Sequence, residues 1–308
     1  MKVMVLAGGP DRERPVSLKS GARVAAALRE AGHEVRPRDL SPGDTAALDE
    51  FGAWTRGGSG VVFPVFHGRW GEGGGAQALL DERGLAYVGC RAAAARLCCD
   101  KAATKRVLRE HDLPTPAFEV VDADRPPTLD PPVVLKPVDD GSSIDLVMAH
   151  DPAARDAAYR DLITRNPQLL VERFVAGREM TVGVVEEAAG QPRALPSIRI
   201  VPATEFYDYA AKYERDDTRY LFDAVAPALE TALRELATAT FAALGCRHLA
   251  RVDLFLDGDD RPWVIEVNTL PGFTDHSLLP MAAARAGRTL PALVDHLVRR
   301  AAPPDGDG

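Results

Sequence analysis

The chain reads as an α/β protein on three observations. Short apolar strands alternate with helical patterns through its first third, glycine clusters follow two of those strands, and a hairpin of alternating residues stands near the C-terminal end. Alternation of strand and helix predicts a parallel sheet flanked by helices, with ligands gathered at the carboxyl ends of its strands. The 308 residues suffice for two or three domains with sizeable cores, and 46% hydrophobic with 27% charged residues is ordinary folded composition.

Taken in order, residues 2–6 predict a strand, Gly8-Gly9 a turn, and 16–30 a helix with Val24, Ala27 and Leu28 at helical spacing before Gly32. A second strand, 61–66, runs into His67-Gly68 and the glycine cluster 71–75; a helix at 76–83 and a strand at 85–88 follow. Glu13, His67 and Glu72 thereby fall at strand carboxyl ends. Residues 101–111 predict a helix closed by Leu113-Pro114, and 117–121 a strand, whereas 122–132 is too rich in Pro and Asp for either. Strands are expected at 133–136, 169–174 and 180–185, a flexible turn at 139–143, and a loop at 206–213. Residues 226–245 predict a long helix stopped by Gly245, and the tail after Pro303 is expected to be disordered.

The hairpin, RVDLFLDGDDRPWVIEVN over 251–268, carries the first chemical signal. With a four-residue loop at 258–261, Asp253 faces Glu266 and Arg251 faces Asn268, while Val252, Leu254 and Leu256 meet Val267, Ile265 and Trp263. Facing carboxylates repel, so this register calls for a positive charge between them. Hard oxygen donors suit Mg²⁺ or Mn²⁺, with the Asn268 amide oxygen as third ligand. An exposed hairpin whose acids face water is the plainer alternative.

A net charge of -8 without a basic run argues against nucleic-acid or anionic-membrane partners, and no apolar run approaches a membrane span. Residues 1–14 have too short an apolar run for a signal peptide, so a cytoplasmic protein is expected. Four cysteines, two of them adjacent, lack metal-ligand spacing and are expected as reduced thiols.

Three lysines stand out: Lys101 opens a helix after Asp100, Lys136 ends an apolar strand beside a Gly-Ser-Ser turn, and Lys212 lies in a loop. Turn N–H groups cradle phosphate oxygens and lysines neutralise them, which points to a nucleotide with a divalent metal. The strings LAGGPDRERPVSLKSG, HGRWGEGGGAQ, DKAATKRVL, VVLKPVDDGSSID, LVERFVAGREMTV, EFYDYAAKY, ARVDLFLD and EVNTLPGFTDHSLLPMAA resemble, in the same order, those of D-alanine:D-alanine ligases of the ATP-grasp superfamily. Eight ordered motifs across almost the whole chain are far more specific than any one.

The resemblance implies an ATP-grasp fold with an N-terminal open parallel α/β domain (1–96), a central lid (97–178) and a C-terminal α+β domain (179–308). It implies that Lys101 and Lys136 hold the α- and β-phosphates of ATP, that Glu172, Arg173, Val175 and Glu179 receive adenine and ribose, and that Lys212 meets the γ-phosphate. Asp253, Glu266 and Asn268 match the ligands of two Mg²⁺ ions. Glu13 is implied at the first D-alanine's ammonium group, with His67 nearby; Arg251 and the Gly272 backbone at the tetrahedral intermediate; Arg251, Ser277 and Leu278 at the second D-alanine. Glu13, Ser142 and Tyr213 would link the loops that close over the site, and a homodimer is implied. Read singly, Glu13 is also a helix N-terminal acid, His67 a turn residue and Ser277 a helix cap.

Four departures from the family pattern stand out. Gly73 replaces an Asp, Asp145 a Gly and Pro15 a Glu, and the stretch between Tyr220 and Ala226 is short. Asp145 either opposes ATP through its charge or turns outward to a basic partner. The rival readings are a related ligase for another amino acid or hydroxy acid and a non-catalytic nucleotide-binding protein. The Tyr209-to-Tyr213 loop argues against D-lactate ester formation, and no G-x-G-x-x-G follows the first strand to suggest a dinucleotide-dependent oxidoreductase.

Overall fold

A computed structural model describes residues 1–55, 60–139, 145–203 and 217–302. Three sheets organise it. In the first, β1 (Lys2–Gly8) lies between β2 (Glu34–Leu40) and β3 (Gly60–Pro64), parallel to both. Strict alternation in β1 serves two cores. Val3 and Val5 pack with α1 (Arg14–Glu30), whereas Met4 and Leu6 pack with α2 (Ala46–Trp54) and α4 (Gly75–Glu82). The short α3 (Gly68–Glu72) sits between β3 and α4. The expected strand at 85–88 is reduced to one parallel bridge, Val62 to Tyr87.

The second sheet is antiparallel, in the order β4 (Phe118–Val121), β7 (Leu169–Arg173), β5 (Val133–Pro137), β6 (Val147–Ala149). One face packs on α7 (Pro152–Leu162) through Val133, Leu135 and Val171; on the other, α6 (Lys101–Glu110) contributes Ala102 against Leu170 and Val138. Before α6 runs α5 (Ala92–Cys99). All four cysteines are unbridged.

The third sheet runs β11 (Arg219–Leu221), β10 (Ile198–Val201), β8 (Arg178–Ala188), β12 (Leu249–Leu256), β13 (Pro262–Asn268), with β9 (Gln191–Ala194) also on β8. Its apolar face buries Val182, Val252, Leu254 and Val264 against Leu233, Ala237 and Phe241 of α8 (Pro227–Ala243). Two closing helices, α9 (Leu278–Arg285) and α10 (Leu290–Ala301), join the core shared by α1, the first sheet and the end of the third.

The expected hairpin is present, with Arg251 opposite Asn268 and Asp253 opposite Glu266, but its register breaks between Asp253 and Leu254. Beyond the break Leu254 faces Val264, not Ile265, Phe255 faces Trp263, and Leu256 faces Pro262. Ile265 is the extra residue of a β-bulge, which puts buried Val264 on the apolar face while Glu266 stays opposite Asp253. The loop shortens from four residues to three, closed by the Asp257 N–H donating to Arg261 O (3.0 Å), with Asp260 at φ 62°. The Asp257 carboxylate braces it, accepting from the Asp259 and Arg261 N–H groups and from Trp263 Nε1.

The bulge makes a testable distinction. Leu254→Ala should cost about 2–5 kcal/mol in urea unfolding and Ile265→Ala about 1 kcal/mol or less, because only the first opens a cavity under α8; equal losses would restore the unbulged register.

Candidate active site

At the carboxyl end of β1, the Gly8 N–H donates to Ser17 Oγ (2.8 Å) and that hydroxyl donates to Val65 O (2.6 Å). One α1 side chain thus ties the ends of β1 and β3 together and sets the turn that delivers Glu13. Glu13 is 5% exposed and makes no side-chain cap to α1. Gly68, at φ +83°, lies against it: a Cβ there would be 2.8 Å from Glu13 Oε2 and 2.4 Å from Asp11 Cβ, so glycine is required. His67 is buried, its Nδ1 3.5 Å from Glu72 Oε1, and its Nε2 has no hydrogen-bond partner among the described residues.

The opposite wall comes from β13 and the turn after it. Asn268 Oδ1 accepts from the Leu270 N–H (2.9 Å), and Ser277 Oγ accepts from the Thr274 N–H (2.8 Å). Ser277 precedes α9 without capping it by its side chain; its hydroxyl oxygen accepts from the turn instead. A Cβ on Gly272 would sit 2.8 Å from that hydroxyl and 3.5 Å from His67 Cε1, so the turn backbone and the imidazole lie close together. Glu13, His67, Lys101, Arg251, Glu266, Asn268, Gly272, Ser277 and Leu278 line a single cavity.

Asp253 does not line it but is joined to it through Arg251, whose Nε and a terminal nitrogen donate to the two carboxylate oxygens at 2.9 and 2.7 Å. Thr181 Oγ1 also donates to Asp253. The positive charge that the hairpin register called for is therefore supplied, within the chain, by Arg251. Asp253, Glu266 and Asn268 still form an all-oxygen donor set on one face, which fits a hard divalent ion.

The nucleotide candidates divide. Lys101 opens α6 at the cavity; its N–H bonds Val138 O (3.0 Å), and Asp100 caps the helix by accepting from the Ala103 N–H. Lys136 and Glu172 lie outside the lining, buried and ion-paired to each other, and Glu172 also meets Lys105 Nζ at 2.6 Å. Burial alone would raise the Glu172 carboxyl, but the two facing ammonium groups hold it down to about 2. Burial lowers Lys105, which Glu172 opposes. One carboxylate between two lysines leaves a buried excess of positive charge, which suits phosphate. Arg173 is exposed at the end of β7, and Val175 and Glu179 are half-buried. Ser142, Lys212 and Tyr213 lie outside the described residues, as do the loop 206–213 and the tail after Pro303.

Lys105 is the residue that sequence reasoning missed. Its signal was spacing: it stands one turn after Lys101, on the same face of α6. Asp145, the least conforming residue, accepts from Arg165 Nε (3.1 Å) and Asn166 Nδ2 (3.0 Å), and these bonds lower its carboxyl pKa. Its φ of 54° is the left-handed conformation that glycine takes easily and Asp tolerates.

Comparison with known proteins places this geometry. The family model "D-ala D-ala ligase C-terminus" matches residues 107–299. The D-alanine–D-alanine ligase B of Chromobacterium violaceum is 40% identical over 292 residues, covering 93% of each chain. The chain belongs to the D-alanine–D-alanine ligase family. The Bordetella petrii ligase is also 40% identical, over 98% of this chain and 92% of its own. Among solved structures, the Bacillus anthracis D-alanine–D-alanine ligase complexed with ATP superposes with a TM-score of 0.82 at 26% identity, covering 98% of this chain and 97% of its own. The fold is thus the ATP-grasp fold of this ligase family.

Because Asp145 is held by Arg165 and Asn166, Asp145→Gly should change ATP affinity by less than about twofold at both low and high salt. A salt-sensitive tightening in calorimetric titration would show that the carboxylate acts on ATP through space.

Proposed function

We propose that the protein joins two D-alanines at the expense of ATP, through an acyl phosphate, and supplies the dipeptide for peptidoglycan precursors. The observation that carries this reading is the convergence of Glu13, His67, Lys101, Arg251, Glu266 and Ser277 on one cavity in a member of this ligase family. The carboxylate of the first D-alanine takes the γ-phosphoryl group and ADP leaves; the amine of the second then attacks the acyl carbon and phosphate leaves.

Each residue has a task set by charge. Glu13, buried against Gly68, holds the first substrate's ammonium group. Arg251 and the Gly272 N–H face the oxyanion of the tetrahedral intermediate, where preorganised donors act most strongly. Ser277 and Arg251 receive the second substrate's carboxylate, and Leu278 packs alongside. Lys101 and Lys136 hold the α- and β-phosphates and Lys212 the γ-phosphate, with Glu172, Arg173, Val175 and Glu179 around adenine and ribose. Ser142 and Tyr213 join Glu13 in closing the site against water, which would hydrolyse the acyl phosphate. Asp253, Glu266 and Asn268 would hold two Mg²⁺ ions, which supply neutralisation of phosphate charge. The same reading takes the enzyme as a cytoplasmic homodimer divided at residues 96 and 178; no described helix is long and apolar enough to cross a membrane.

The direct test is ADP release from purified protein, ATP and Mg²⁺ across single and paired D- and L-amino acids, with products weighed by mass spectrometry. Release of ADP with D-alanine and formation of its dipeptide are expected; dipeptides formed only from another pair would move the reading to a different ligase. Glu266→Gln should abolish ADP release without moving the melting curve, whereas turnover near wild type at saturating Mg²⁺ would remove Glu266 from the metal site. Glu13→Gln should lower kcat/KM for D-alanine by about 10- to 150-fold, the worth of one charge-assisted hydrogen bond, and leave ATP affinity unchanged. A fall in ATP affinity with unaltered D-alanine dependence would place Glu13 elsewhere.

A further inference from the structure

Lys105 is fully buried and does not line the cavity, so it touches no substrate there. It nevertheless stands at the centre of a continuous polar chain. Its ammonium group meets Glu172 Oε2 at 2.6 Å and donates to Thr115 Oγ1 at 2.7 Å, and the Thr115 hydroxyl donates to Val264 O at 2.8 Å. The other oxygen of Glu172 pairs with Lys136. Val264 belongs to β13, the outer strand of the third sheet, and its N–H is taken by Pro114 O (2.8 Å). Glu266 and Asn268 lie on the same strand. Five side chains and backbone groups therefore run without interruption from the strand bearing two metal-ligand candidates to the strand bearing Lys136.

We propose that Lys105 is a positioning residue for ATP, coupling Lys136 to the β13 strand through Glu172 and Thr115. The proposal rests on the ligase reading for the identity of the nucleotide.

A purely structural role explains the arrangement poorly. Buried ion pairs rarely stabilise a fold beyond well-packed apolar residues of the same size, because desolvation offsets their attraction. Here one carboxylate serves two lysines, which is worse for stability but leaves charge to share with an anion. Geometry is what the chain does supply: Glu172 cannot turn away from Lys136 while Lys105 holds its second oxygen, and Lys105 cannot move while Thr115 is bonded to β13. The distance between the phosphate-binding lysine and the metal-bearing strand is thereby set before ATP arrives, which is the condition for preorganised binding.

The test measures ATP affinity directly by calorimetry with Mg²⁺, alongside KM for D-alanine, in Thr115→Val, Thr115→Ser and Lys105→Met. Thr115→Val removes the hydroxyl at nearly constant volume and should weaken ATP by about three- to tenfold, Thr115→Ser should restore wild-type affinity, and Lys105→Met should weaken ATP by about 10- to 150-fold. KM for D-alanine should stay within about twofold in all three, because neither Lys105 nor Thr115 lines the cavity. Should Lys105→Met fail to fold, as removal of one partner from a buried ion pair can cause, the Thr115 pair decides alone. Wild-type ATP affinity in a folded Thr115→Val, or loss of D-alanine affinity in step with ATP, overturns the proposal. A wild-type protein that binds ATP but releases no ADP with D-alanine overturns the ligase reading and leaves the Lys105 comparison intact; one that binds no ATP overturns both.

Discussion

Two carboxylates facing each other across a hairpin are the constraint around which the third sheet is arranged. Asp253 and Glu266 occupy directly opposed positions, where like charges destabilise a ladder. The chain answers with Arg251, two residues back on the same face, and with Thr181 from β8. The other face of the same strands must stay apolar because α8 covers it. A regular ladder would have set Ile265 against Leu254; the bulge instead brings Val264 to that position. Bulges recur beside active sites because they re-aim side chains at the cost of one unpaired residue, and here the re-aiming separates a charged face from a packing face.

Charge balance links the remaining walls. The cavity mixes acids with bases, Glu13 and Glu266 with Lys101 and Arg251, as suits a zwitterionic amino acid beside a polyanion. The buried trio of Lys105, Glu172 and Lys136 extends that pattern away from solvent, where an effective dielectric well below that of water strengthens both attraction and its absence. Such groups are costly unless each is fixed by another, and the hydrogen bond from Lys105 to Thr115 does this within the fold.

Three of the four departures from the family pattern have local physical explanations. Pro15 lies in the first turn of α1, where no intrahelical N–H is needed. At Gly73 a Cβ would lie 2.3 Å from Arg69 O, so the present path of the α3 end excludes any side chain. Asp145 takes a left-handed backbone of the kind glycine adopts easily and turns its charge to Arg165.

From the residues alone came the alternation that makes the first sheet parallel, the position of Glu13 and His67 at its strand ends, and the pairing of Asp253 with Glu266. Each depends on local periodicity or on a turn a few residues long, which a sequence displays directly. The order of eight motifs supplied the family, and with it the distant residues of the cavity. What only the tertiary structure decided was non-local: the bulge at Ile265, the outward turn of Asp145, the bidentate hold of Arg251 on Asp253, and Lys105 as a buried partner of Glu172. A bulge follows from which face α8 covers, and an ion pair between residues 67 positions apart follows from how α6 lies on β7. Neither is written in any single stretch of chain, because burial and charge pairing are properties of surfaces that folding brings together.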